Sequence, residues 1–298
     1  VSVQPGGVGT ALRMLVPMVA PLAGAVLYTG LAVYARTLQV TAASIGVMQW
    51  CTASALVCVL AAFPPIQQQL ALVFTRGAHP GHTARLTAAL ALVVLLLPYP
   101  MQLLLPQITE SLANTGKPLA DVGGLVGQLV GEVLFALAAI GLWVGRDAKQ
   151  ARERLGLGGM SMRHWIIAAI GLAAVIGVNA GMEHVERTQF YSLWLRDQAM
   201  VKMIAADLSL AAMLVLGVSA GVGEEVLVRG ALQPRVGLVW ASLLFAAGHV
   251  QYTWFGMLTI MLLGITLGLI RKHANTTTAI VVHAVYDIIA AFGARGAN

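Results

Sequence analysis

The chain has 298 residues, of which 58% are hydrophobic and 10% charged, and its mean hydropathy is +0.82. Soluble domains carry about 25% charged residues, so this composition excludes a soluble globular protein. The net charge is +6, but the basic residues sit in short loops between apolar runs, the pattern that holds loops on the cytoplasmic side of a membrane; the excess reports topology and argues against a nucleic acid partner.

A membrane helix needs about 20 apolar residues. On that measure Leu12–Tyr34 forms the first span and Ala43–Phe63 the second. Arg13, ahead of the long apolar stretch, fits a first span that directs its own insertion rather than a cleavable leader. Cys51 and Cys58 lie two helical turns apart on one face and read as small core residues. Pro64 and Pro65 stop or kink the second helix. Ile66–Thr75, with three glutamines, reads as an amphipathic continuation, and Arg76–Arg85, with His79 and His82, as a basic loop.

Leu86–Leu105 is a third span, interrupted by Pro98 and Pro100, and Pro106–Asp121 a loop. Val122–Val144 is a fourth span with Gln128 and Glu132 on one face, suited to interhelical contacts or to a substrate path. The loop Arg146–His164 is the most basic, carrying Arg146, Lys149, Arg152, Arg154 and Arg163. Positive charge places it in the cytoplasm together with Arg76–Arg85 and the N-terminus. Trp165–Gly181 is a fifth span, and Met182–Lys202 an external loop whose Phe190, Tyr191 and Trp194 suit an interface.

Ile204–Gly223 is a sixth span with Asp207 near its outer end. Val236–Tyr252 is short for a crossing, Phe255–Ile270 ends in Arg271, Lys272 and His273, and Thr277–Phe292 is the last apolar helix. The expectation is an all-α, polytopic transmembrane helical bundle of about eight helices with a buried polar active site. It forms a single integral-membrane domain over 1–298, expected in the plasma membrane, with no readable motif in 1–200 and a catalytic core over 201–293.

Ionisable residues within a bilayer are costly, and their default reading is functional. Three stretches carry them: GVGEEVLVRG over Gly221–Gly230, FAAGH over Phe245–His249 and HAVYD over His283–Asp287. On a helix, residues four apart share a face, which pairs Glu225 with Arg229, Phe245 with His249, and His283 with Asp287. Strict counting sets His249 nearer the outer end of its helix than Glu224, so a shared pocket requires that helix to be offset, tilted or re-entrant around Gly248.

These motifs resemble, in order, the three motifs of the CPBP (CAAX protease and bacteriocin-processing) family, which includes Rce1-type prenyl-protein endopeptidases: EExxxR, FxxxH, and a histidine followed four residues later by asparagine or aspartate. The resemblance covers roughly Ala205–Phe292. It implies an intramembrane endopeptidase with Glu224 as catalytic base, and with His249, His283 and Asp287 lining the water site. Its expected partners are the lipid bilayer and a peptide or protein substrate, membrane-anchored or prenylated.

The residues support that chemistry independently. Amide hydrolysis needs an activated water, and a carboxylate in a low-dielectric interior is a competent base. Arg229 holds Glu225 as an anion, leaving Glu224, whose side chain points about 100° away on the helix, to take the proton. His249 and His283 are the donors for developing negative charge, and Asp287 fixes the tautomer of His283 or contacts the water. The same Glu224, His249, His283 and Asp287 make a reasonable zinc set, so the sequence leaves zinc-dependent and metal-free hydrolysis both open. A transporter or channel using these groups as a proton or cation site is the competing class, although the chain lacks the repeated halves common in transporters.

Overall fold

The computed structural model describes residues 7–37, 42–75, 81–104, 120–143, 145–205 and 208–296. Among them the regular structure is helical, apart from one isolated bridge between Leu142 and Arg146. Among the described residues eight helices are long and apolar enough to cross a membrane, and a further apolar helix, Leu238–Gly248, is shorter. The protein is therefore an all-α polytopic membrane protein. Of the expected loop Arg76–Arg85, residues 76–80 lie outside the described residues and 82–85 open a helix; 106–119 of the expected loop Pro106–Asp121, and Asp207, also lie outside the described residues. The chain divides into two compact units, Val1–Ser111 and Leu112–Asn298.

In the first unit, α1 (Gly7–Thr37) packs on α2 (Ala42–Ala61) and α4 (His82–Leu96), with α3 (Pro64–Phe74) against α4. Cys51 and Cys58 lie fully buried in its core beside Tyr28, Val47 and Leu104. Its prolines remove backbone donors, and side chains replace them. Pro21 cannot bond the carbonyl of Pro17, which instead accepts Gln67 Nε2 at 3.0 Å. Pro100 likewise abandons the carbonyl of Leu96, which accepts Trp50 Nε1 at 2.9 Å. In lipid such groups must be satisfied internally, so the third span continues over 98–104 despite its prolines.

The second unit begins with α5 (Val122–Ile140), capped by Asp121, whose Oδ1 accepts the Gly124 amide at 2.8 Å. The expected basic loop after it contains a short helix, α6 (Ala148–Leu155), opened by an Asp147/Gln150 capping box. α7 (Met162–Gln189) runs well past its apolar stretch, and α8 (Tyr191–Ala205) follows after Phe190 alone. The region 182–202 is thus helical rather than an external loop, because Glu, Arg, Gln and Met sustain a helix as readily outside the hydrocarbon as within it.

The sixth span is also longer than expected. α9 (Leu210–Glu225) continues through a π-helical turn, Val226–Leu232, into α10 (Gln233–Val236), giving one span over Leu210–Val236. Glu224 therefore stands near the middle of its span instead of at the surface. Next, α11 (Leu238–Gly248) has 11 residues, a rise of about 16 Å against a hydrocarbon thickness of about 30 Å. It brings His249 only part of the way across, level with a mid-span glutamate. Two long helices, α12 (Trp254–His273) and α13 (Thr276–Gly296), complete the unit.

α13 packs on α9 where α9 has no side chains. A Cβ on Gly221 would stand 2.8 Å from the Ala284 nitrogen, and one on Gly217 2.6 Å from its carbonyl oxygen. Only glycine permits that approach, and it sets Glu224 and Glu225 beside His283.

Candidate active site

Glu225 and Arg229, one helical turn apart across the start of the π segment, form an ion pair with Oε2 3.2 Å from Nε, and both side chains are fully buried. A π turn is wider than an α turn and recurs at functional sites; here it gives the guanidinium room inside the bundle. Arg229 Cζ also lies 4.9 Å from the centroid of the Phe245 ring. Its Nη1 and Nη2 have no hydrogen-bond partner among the described residues, so the ring face and the Glu225 carboxylate are its compensation.

Phe245 also meets both histidines. Its carbonyl accepts a hydrogen bond from His249 Nδ1 at 2.8 Å, and its ring meets the His249 ring edge-on at 4.6 Å and the His283 ring at 6.1 Å. With Nδ1 held by that carbonyl, His249 turns Nε2 toward Glu224 Oε2, at 4.0 Å.

His283 Nε2 stands 3.8 Å from the same oxygen, Glu224 Oε2. Its Nδ1 lies 3.0 Å from Glu225 Oε1. Glu225 therefore fixes the His283 ring at Nδ1. Asp287 Oδ2 stands 3.5 Å from Nε2, on the side of the ring that faces Glu224. The six expected residues come from four elements: Glu224 and Glu225 from α9, Arg229 from the π turn, His249 from the end of α11, and His283 and Asp287 from α13.

Separations of 3.8 and 4.0 Å are too long for direct hydrogen bonds. They suit groups that share a small molecule between them. Ligands of a tetrahedral zinc, each about 2.0–2.1 Å from the metal, stand closer, at roughly 3.4 Å. Among the described residues no group of three or more His, Cys, Asp or Glu side chains is placed to hold a metal ion.

Glu132 also reaches this region, which sequence spacing did not reveal. Gln128 Nε2 donates to its Oε1 at 3.0 Å along α5, while the carboxylate reaches across to α9. Its Oε2 is sealed and, among the described residues, lacks a hydrogen-bond partner; it lies where a Cβ of residue 223 would stand. The absence of a side chain at Gly223, one residue before Glu224, makes that space. A carboxylate in an apolar span was the only available signal.

Residues 206–289 match the family of the type II CAAX prenyl endopeptidase Rce1-like proteins, and the resemblance carried by the three motifs holds over that segment. The chain is also 29% identical over 160 residues to an uncharacterized protein, YpbD, of Bacillus subtilis (strain 168), an alignment covering 53% of this chain and 82% of the relative. No solved structure matches.

Proposed function

We propose that the protein is an intramembrane endopeptidase that hydrolyses peptide bonds with a water activated by Glu224. The observation that carries this reading is the position of Glu224 Oε2, 4.0 Å from His249 Nε2 and 3.8 Å from His283 Nε2, where one water can contact all three groups. Glu224 takes the proton of that water as the oxygen attacks the scissile carbonyl, then returns it to the leaving amine. His249, whose Nδ1 is engaged by the Phe245 carbonyl, and His283, engaged at Nδ1 by Glu225, present only their Nε2 atoms to the substrate. His283 donates from Nε2 to the oxyanion in its imidazolium form, and His249, with its proton on Nδ1, offers Nε2 as an acceptor to the water. Glu225 and Arg229 hold the frame, and Asp287 lies beside the water.

The match to CAAX prenyl endopeptidases supports a membrane-anchored substrate, a prenylated C-terminal peptide first among candidates. We further place the N-terminus and the basic loops in the cytoplasm of a cell-membrane protein. The test is mass spectrometry of prenylated and unprenylated peptides incubated with purified protein and with Glu224→Gln. Cleavage by the native protein and none by the variant is expected. Equal cleavage by both removes Glu224 from the chemistry.

A further inference from the structure

Four arginines from four elements meet at one end of the second unit: Arg146 after α5, Arg154 on α6, Arg235 on α10 and Arg271 at the end of α12. Arg154 Nη1 donates to the Gly230 carbonyl at 2.9 Å, and its Nη2 to Ala231 at 3.4 Å. Arg235 Nη1 donates to the same Ala231 carbonyl at 3.2 Å, and its Nη2 to Ala139 at 2.9 Å. Arg146 Nη1 donates to Ile140. Carbonyls at helix ends position these cations and complement them in part, but they carry no net charge. Among the described residues none of the four forms an ion pair with a carboxylate. Burial, then Arg235, Arg146 and Arg271, pull the Arg154 guanidinium down to about 10. Among the described residues Arg271 Nε is sealed and has no hydrogen-bond partner.

Two carboxylates adjoin these arginines in sequence, and neither pairs with them: Asp147 caps α6, its Oδ1 accepting the Gln150 amide at 2.8 Å, and Glu153 is exposed. Beside the cluster, Trp143, Gly145, Arg146, Asp147 and Gln150 line an open recess of about 380 Å³. Trp143 is 85% exposed and adopts φ 60°, a conformation a bulky residue rarely takes. Its amide is held by the Arg146 carbonyl at 2.7 Å. The chain thus fixes a tryptophan outward, next to cations lacking a counter-ion, at the ends of three spans.

We propose that this cluster binds the phosphate of an anionic phospholipid in the leaflet at that face. Guanidinium groups match phosphate oxygens in charge and geometry, and tryptophan sits at headgroup level. The tryptophan favours a lipid headgroup over soluble phosphate, which would not require an outward apolar ring. Basic recesses between spans are suited to such headgroups.

The test uses the full chain in neutral detergent, titrated with phosphatidylglycerol, phosphatidylcholine or inorganic phosphate, and reads the melting temperature together with lipids retained in native mass spectrometry. Phosphatidylglycerol is expected to raise the melting temperature by about 5 °C near saturation and to be retained. Phosphatidylcholine and inorganic phosphate should do neither. Arg271→Gln, which breaks no carbonyl cap, should weaken phosphatidylglycerol binding about tenfold, whereas Lys149→Gln, on an exposed position nearby, should leave it unchanged. Should Arg271→Gln fail to fold, Trp143→Ala, whose side chain is exposed, is expected to weaken binding severalfold. Equal shifts with phosphatidylcholine overturn the proposal, as does an equal shift with inorganic phosphate alone. Binding unchanged in both Arg271→Gln and Trp143→Ala overturns it too, and an equal loss in Lys149→Gln reduces the cluster to diffuse surface charge.

Discussion

Two groups of buried carboxylates lie in the unit over residues 112–298, and they are bonded in opposite ways. At the start of α12, both oxygens of Asp197 are taken: Oδ1 accepts the Thr253 amide at 2.7 Å and Oδ2 its hydroxyl at 2.8 Å. Glu186 accepts from the same hydroxyl at 3.5 Å. These contacts tie α7 and α8 to the first turn of α12. Around Glu224, by contrast, the side chains converge without closing, and its nearest partners remain at 3.8 and 4.0 Å. A satisfied buried network rigidifies a fold. One that stops short of hydrogen-bond distance leaves its polar capacity for something else, which is how a reaction site differs from a structural one built of the same residue types.

Substitution can break that contrast. The largest expected effect is on activity: Glu224→Gln should lower peptide cleavage by ~10²–10⁴-fold with no fall in melting temperature, because the carboxylate has no direct bond to lose. A marked drop in melting temperature would move Glu224 into the structural class. Arg229→Met should instead destabilise by about 3–5 kcal/mol, since it leaves Glu225 buried without its cation. The double variant Glu225→Gln/Arg229→Met should recover part of that loss in denaturation measurements. No recovery would mean that the pair does not act as a unit.

At the other cluster, Thr253→Val keeps the shape but removes the hydroxyl, and should cost about 1–3 kcal/mol, with cleavage per folded molecule retained. Loss of cleavage at unchanged stability would make this cluster part of the reaction. The mildest change is expected from Asp287→Asn, which keeps the size of the side chain beside His283. Cleavage should fall by less than about tenfold, well short of losing a general base, and a loss as large as that of Glu224→Gln would make Asp287 an equal partner.

The site motifs were legible because charge in an apolar span is conspicuous: Glu224, Glu225, Arg229, His249, His283 and Asp287 could be read off three short stretches, and the i, i+4 spacing paired Glu225 with Arg229 correctly. Spacing failed where the partner lay on another helix. It gave no sign that Glu225 takes the Nδ1 of His283, or that Phe245, paired by spacing with His249, also meets Arg229 and His283. Polar residues were misread in the opposite sense over 182–202, where they extend two helices instead of forming a loop.

The sequence by itself determined where the apolar spans lie, though not where they end, together with the all-α class and the inventory of reactive groups, because hydrophobic length and periodicity are local properties of the chain. The tertiary structure decided depth and direction. The π turn that prolongs the sixth span to Val236 and the early end of α11 bring Glu224 and His249 to one level, and Gly217 and Gly221 let α13 approach close enough to deliver His283. Those outcomes depend on contacts between residues distant in sequence, and no local pattern encodes them.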